Sequence, residues 1–322
     1  MTSVRSVVTC LSLAIIANRM NGSGISAASS GLLRLSAVPG YDGTRVNDLL
    51  LLKPTTQPQR PCDNDSTSLR DGNSHVVFFP GDIQNFQEEM SKQADAAPWL
   101  SWSLESVALI LGNRFPASHI WLIRASQIYL HKFSCYHNFV ESNLFGAPEH
   151  SPDYGAIRHL RSLLEHSMQQ AGLPNALPPL SGTATPDPLP ADFTLTLVGF
   201  SKGCVVLNQM VYELAGARAD PELSLFLDSI SDIFWLDGGH SGGSETWVTD
   251  KCALAELASS GVAVHAHVTP YEVKNPLRAW VGREHHLFIK TLENLGACVS
   301  QKLHFEDEPV CILNHFRVIQ EF

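Results

Sequence analysis

One stretch constrains this chain more than any other: Leu195-Thr196-Leu197-Val198-Gly199-Phe200-Ser201-Lys202-Gly203-Cys204. An apolar, β-prone run enters Gly-x-Ser-x-Gly, and Leu207, Met210, Val211 and Leu214 then repeat at helical spacing. Strand, sharp turn and helix together form the setting of a nucleophile elbow, in which the serine takes up strained backbone angles and its hydroxyl stands above the sheet. Side chains two positions either side would collide there, so glycine at 199 and 203 is the residue type that sterics demand. The helix start leaves backbone N–H groups free to face a developing oxyanion. Ser201 is therefore the candidate nucleophile.

A strand–elbow–helix unit implies a larger α/β frame, and the chain supplies one. Apolar runs at His75–Phe79, His119–Ala125, Ser231–Leu236 and Val262–Val268 alternate with helical patterns at Ser103–Leu111, Asp153–Ala171 and Pro276–Leu295. A further helix is expected over Ile83–Gln93, with Asp82 as its N-cap. The alternation predicts a mostly parallel central sheet with helices on both faces, in which sites gather at the carboxyl ends of the strands. Six prolines between Pro174 and Pro190 mark a loop near 174–191 rather than a domain boundary, because the strand pattern resumes at Phe193. With 322 residues, 44% of them hydrophobic, one large domain can bury its core.

A serine hydroxyl needs a base oriented by a third group, and in this fold class the order is serine, acid, histidine. Two acids follow the elbow at strand ends. Asp237 opens an Asp-Gly-Gly turn that exposes a short carboxylate, whereas Glu272 follows the later strand, the commoner place for the acid. Asp237 is preferred and Glu272 is the alternative. His315, after the last strand pattern, is the expected base, and His240 is its rival. Oxyanion donors are expected from the backbone N–H of Lys202 and of Asp82 or Ile83, which follow the strand ending at Phe79.

Other chemistries find less support. His265 and His267 share a strand face, but no third ligand stands at a suitable spacing, and no nucleotide-binding glycine pattern occurs, so no metal or cofactor is expected. His285 and His286, within a helical pattern, read as surface or packing residues. The net charge of -10 argues against nucleic acid or an anionic membrane surface as the main partner. Seven cysteines without a C-x-x-C pair point to a reducing compartment. Arg5, Arg19 and Arg34 precede the first acid, Asp42, in a Ser- and Ala-rich stretch. That composition fits an organelle transit peptide, while the short apolar run Val7–Ala17 fits a secretory signal, and it is too short to span a membrane. Residues 1–40 are assigned to a targeting segment that is removed, and 41–322 to the folded domain.

Val77-Phe78-Phe79-Pro80-Gly81-Asp82, Gly199-Phe200-Ser201-Lys202-Gly203, Trp235-Leu236-Asp237-Gly238-Gly239-His240-Ser241-Gly242-Gly243 and Val268-Thr269-Pro270-Tyr271 together resemble an animal family of mitochondrially targeted, α/β-hydrolase-like proteins without an established substrate. The resemblance runs from about residue 40 to the C-terminus, and the Asp-Gly-Gly-His-Ser-Gly-Gly stretch is its most specific part. It implies mitochondrial localisation, with the matrix as the expected compartment, and supports Ser201 as nucleophile. It also implies a link to glycogen-branching enzyme. Phe79-Pro80-Gly81-Asp82 stands where common lipases and esterases carry a His-Gly oxyanion segment. Two functions follow: a serine hydrolase acting on an ester, thioester or amide, or a catalytically inactive interaction protein on the same fold.

Overall fold

The computed structural model describes residues 31–54, 73–143, 147–178, 180 and 188–322. Its centre is an eight-stranded sheet: β1 (Leu32–Pro39), β2 (Val46–Leu52), β3 (Ser74–Phe79), β4 (His119–Ile123), β5 (Thr194–Phe200), β6 (Ile230–Leu236), β7 (Ala263–Val268) and β8 (Val299–Leu303). They lie in the order β1-β2-β4-β3-β5-β6-β7-β8. Only β2 runs antiparallel to both its neighbours, and every pairing from β4 to β8 is parallel. This is the strand order of an α/β-hydrolase fold.

Period-2 alternation divides each central strand between two cores, as a sheet buried on both faces requires. Leu195 and Leu197 of β5, with Ile233 and Trp235 of β6, face a large cluster shared with α2 (Ala156–Gln170), α3 (Cys204–Ala219), α4 (Lys251–Ser259) and α5 (Ala279–Asn294). Val198 and Phe200, with Phe234 and Leu236, face the opposite cluster, closed by α1 (Leu104–Arg114) and α6 (Ile312–Glu321). α3 packs against α2, α4 and β5. Covered on three sides, it buries Cys204 to Val211 without a break and has no single apolar stripe.

Two expectations need correction. β1 occupies Leu32–Pro39, inside the stretch assigned to a removable targeting segment. Leu35 and Val38 are buried in the core, each worth about 1.5–3 kcal/mol on burial. The folded body therefore starts by Leu32, and a boundary at 40 would cut away an edge strand. Residues 1–30 lie outside the described residues, as do 179 and 181–187 of the Pro-rich loop. The second correction concerns Ile83–Gln93, where the only helix is Gln87–Ser91. Ile83 has φ of 70°, a left-handed angle that a β-branched residue can hold only outside a helix. Asp82 therefore caps nothing.

Candidate active site

Four segments converge at the carboxyl edge of the sheet. β5 delivers Ser201 into a single tight turn, Ser201–Gly203, ahead of α3. Ser201 has φ of 51°, a strained angle for a residue with a side chain, held by its surroundings at about 1–3 kcal/mol. Those surroundings explain both glycines of the motif. A Cβ at Gly203 would lie 2.0 Å from the Phe79 carbonyl oxygen, and one at Gly199 2.8 Å from Leu207 Cδ1 and 3.0 Å from Cys204 Cα. Cys204 is itself fully buried, its thiol turned to the Gly199 carbonyl at 3.2 Å, and burial pushes its pKa up, so it stays a thiol.

Asp237 follows β6 and also has a left-handed backbone, φ 47°. Its carboxylate is completely buried and accepts three hydrogen bonds. Thr269 N–H donates to Oδ1 at 2.7 Å, Thr269 Oγ1–H to Oδ2 at 2.6 Å, and His315 Nδ1–H to Oδ2 at 2.7 Å. Because the carboxylate only accepts, Nδ1 carries the imidazole hydrogen and Nε2 presents its lone pair. His315 sits early in α6, its ring 4.7 Å from that of Phe200 and 5.1 Å from that of Tyr271. Burial presses the imidazole pKa down, but the Asp237 hydrogen bond and charge, with the Glu272 charge, outweigh it and raise the value. The turn after Asp237 reaches the elbow directly, since Gly239 N–H lies 3.3 Å from the Ser201 carbonyl oxygen. Among the described residues no hydrogen bond joins Ser201 Oγ to His315, a contact that commonly tightens only with substrate in place.

Glu272 lies at the same edge but is differently engaged. Its carboxylate is 2.8 Å from Arg278 Nη2 and accepts from Arg278 Nη1 at 3.3 Å. Burial, opposed by His315, raises its pKa to about 7. A Cβ at Gly239 would stand 2.7 Å from this carboxylate, so the Asp-Gly-Gly turn is built around it.

The loop after β3 separates the expected oxyanion donors. Ile83 N–H donates to the Lys132 carbonyl at 2.7 Å and is unavailable to a substrate, which removes Ile83 from the donor set. Asp82 remains. Its carboxylate accepts Ser134 N–H at 2.7 Å, and a Cβ at neighbouring Gly81 would be 2.8 Å from Ser201 Cβ. The turn is held by Ser134 Oγ–H donating to the Gly81 carbonyl at 2.8 Å and Tyr136 O–H donating to the Pro80 carbonyl at 2.6 Å. Burial raises the Asp82 pKa against the Ser134 bond and the Lys202 charge, and burial lowers that of Lys202. Thr269, Arg278 and Tyr136 escaped the sequence reading. Thr269 had left a trace in the Val268-Thr269-Pro270-Tyr271 motif, where it starts the short helix Pro270–Val273, and Tyr136 in the aromatic stretch from Tyr129 to Phe145.

The remaining histidines have other partners. His240 Nδ1 faces the Ser241 carbonyl at 3.0 Å rather than an acid. His265 bridges Asp232 and Ser300, and His267 pairs with His304 at 2.8 Å. His285 is buried against Trp247. No cluster of three metal-ligating side chains occurs among the described residues, and no helix there is long and apolar enough to cross a membrane.

A family model described as C2orf69 matches residues 34–177 and 166–298. The chain belongs to the C2orf69 family. A Danio rerio relative, named mitochondrial protein C2orf69 homolog, is 76% identical over 328 residues, covering 100% of this chain and 96% of its own. The Homo sapiens mitochondrial protein C2orf69 is 42% identical over 331 residues, covering 90% of this chain and 86% of its own. C2orf69 proteins are thus named as mitochondrial in both, and this chain is one of them. Among solved structures, a thermostable esterase is 12% identical with a TM-score of 0.40, covering 89% of this chain and 60% of its own. Esterase PE8 is 14% identical with a TM-score of 0.44, covering 78% and 92%. The fold assignment rests on the strand order above.

Proposed function

We propose that this protein is a mitochondrial serine hydrolase that cleaves an ester, thioester or amide with Ser201 as nucleophile, His315 as general base and Asp237 as the acid that orients it. The observation that carries this reading is the Asp237 carboxylate. It holds three hydrogen bonds, one of them from His315 Nδ1, at the mouth of a strained serine turn. In the reaction, His315 Nε2 takes the Ser201 proton as Oγ attacks the carbonyl carbon, then gives it to the departing alcohol, thiol or amine. Water hydrolyses the acyl-enzyme by the same steps. The backbone N–H groups of Asp82 and Lys202 stabilise the tetrahedral oxyanion.

The test is labelling of the full chain with a fluorophosphonate probe beside Ser201→Ala. Labelling of the wild type that disappears in the variant is expected. Equal labelling of both, or none in a wild type shown to be folded by circular dichroism, overturns the proposal. In the second case the chain is a hydrolase-fold interaction protein, and glycogen-branching enzyme, which the family resemblance implies, becomes the first partner to test by co-purification.

A further inference from the structure

The large apolar side chains left exposed on this molecule include two groups that flank Ser201. The first is a hairpin after β4, in which Gln127–Tyr129 pairs antiparallel with Phe133–Cys135. Tyr129 and Phe133 lie opposite each other in it and are exposed, and Leu130 at the tip is 67% exposed. The tip is also strained. Lys132 N–H closes the turn on the Tyr129 carbonyl, and its two central residues, Leu130 and His131, have left-handed angles, φ 51° and 56°. Asparagine and glycine ordinarily fill such a turn, because a larger side chain is costly there. A leucine kept at that cost buries little in return, and strain of this kind collects at functional sites.

The second group lies on the other flank. Leu277, between β7 and α5, is 86% exposed and precedes Arg278, whose guanidinium holds Glu272 at the site. Val310, Ile312 and Leu313 are exposed where the connection after β8 runs into α6, the helix that carries His315. Lys274 and Glu306 tie these two connections together at 2.7 Å, and Glu308 is paired with Arg317 at 2.6 Å. In the sheet, β4 lies two strands from β5 on one side, and β7 and β8 lie two and three strands away on the other. All these strands are parallel, so their following connections emerge at one edge. The elbow therefore stands between two exposed apolar rims. The hairpin rim reaches it closely, since Ser134 holds Gly81 and Asp82, and Gly81 abuts Ser201.

Their placement says what meets them. A protein seated on both rims would cover Ser201 and shut out substrate, whereas a surface made of substrate delivers the ester where the rims land. The exposed side chains sit on loops at separate places along the edge, which suits a fluid surface that needs no matching shape. Tyr129 and Phe133 stand beside Lys132, whose ammonium lies 5.9 Å from the Phe133 ring centre, and tyrosine with lysine is the amphipathic pairing of an interfacial anchor. The net charge of -10 disfavours an anionic surface. We propose that the two rims dip into a neutral or zwitterionic lipid surface and that the substrate is a lipid ester presented from it. This rests on Ser201 being the nucleophile and names the substrate class for it.

The test offers the full chain sucrose-loaded phosphatidylcholine vesicles and reads the bound fraction by sedimentation. Two fluorophosphonates are compared beside it, one short and water-soluble, the other carrying a hexadecyl chain embedded in the vesicles. The wild type is expected in the vesicle pellet, with Ser201 labelled by both probes. Leu130→Asn suits the left-handed turn and keeps the fold, and Leu277→Ser changes a side chain with little packing to lose. Each should cut the partition coefficient by about 10-fold or more, slow the embedded probe to match, and leave the soluble-probe rate near wild type. Leu295→Ser, exposed at the opposite edge ahead of β8, should change none of these, and an equal loss there would overturn the proposal. So would unaltered partition of the Leu130→Asn, Leu277→Ser double variant. A wild type that the soluble probe labels but that stays in the supernatant removes the lipid surface and leaves the triad standing. A folded wild type that the soluble probe does not label sinks the nucleophile reading, and the substrate class with it.

Discussion

Asp237→Asn separates the two acids that the sequence offered, and the hydrogen bonds predict how. The amide must place its NH2 at one of the two carboxylate positions. At Oδ1 it would face Thr269 N–H, a backbone donor that cannot turn away. At Oδ2 it would face Thr269 Oγ1–H, which can rotate, and His315 Nδ1, which can change tautomer. The amide therefore settles with NH2 toward His315, and the imidazole moves its hydrogen to Nε2. A base with a protonated Nε2 cannot take the Ser201 proton. Loss of general-base catalysis is worth about 10²–10⁴-fold, and loss of the buried charge that stabilises the imidazolium places the expected effect near the upper end, about 4–5 kcal/mol. Stability should fall by only about 1–2 kcal/mol, because each donor finds another partner. The second-order rate of fluorophosphonate labelling measures the chemistry without a known substrate. Glu272→Gln is the control, since a carboxyl with a pKa of about 7 already carries a proton much of the time at neutral pH, and its labelling should stay within about 5-fold of wild type. Labelling of Asp237→Asn within about 3-fold of wild type, or slower labelling of Glu272→Gln than of Asp237→Asn, would refute the assignment.

Three further outcomes can be checked on the same protein. A chain starting at residue 41 loses β1 with the buried Leu35 and Val38, and should be destabilised by at least about 4 kcal/mol relative to one starting at 31, read by urea denaturation; equal midpoints would restore the boundary at 40. Gly203→Ala puts a Cβ 2.0 Å from the Phe79 carbonyl and should lower stability by about 3 kcal/mol or more, seen as a drop in Tm of the soluble protein; an unchanged Tm contradicts the geometry of the elbow. Burial depresses His75 to about 3, and His150, His159 and His285 to about 4, so the unfolded chain takes up their protons first. Their stabilisation is present above pH 6.5 and lost as pH falls toward 4, while Glu272 opposes this with one proton held in the folded state below pH 7. For these five groups a net uptake of about three protons contributes a slope of roughly 4 kcal/mol per pH unit near pH 5.5, and a flat stability profile between pH 7 and 5 would contradict it.

The central strands were legible because burial on both faces leaves continuous apolar runs, and the elbow because its glycines answer a local steric demand. β1 and β2 were not. In β1 the alternation breaks between Leu35 and Val38, where the register with β2 shifts and Ala37 has φ of 50°. Arg34 and Ser36 then made a strand resemble part of a targeting segment. The helix expected from Ile83 failed on the backbone angle of Ile83 itself, which the Lys132 carbonyl holds and which no local pattern announces. The acid was ambiguous because Asp237 and Glu272 both end parallel strands, and the choice between them lies in a contact with His315 across 78 residues of chain. Further still from the sequence is the start of α2, whose first amides are held by Glu213 on another helix.

That last link says something about how the molecule holds together in time. α2 begins at a glycine with φ of 93° and no side-chain cap of its own, so its first amides depend on Glu213 from α3. Without that carboxylate the first turn of α2 is an open end whose donors must turn to solvent. The two helices are therefore one cooperative unit despite the proline-rich stretch between them, and α2 cannot ravel from its beginning while the elbow helix stays seated. Exchange of the Gly155, Ala156 and Ile157 amides with heavy water should follow the opening of α3 rather than local fraying. Faster exchange there than in α3 would show that the glutamate is a decoration and not a clasp.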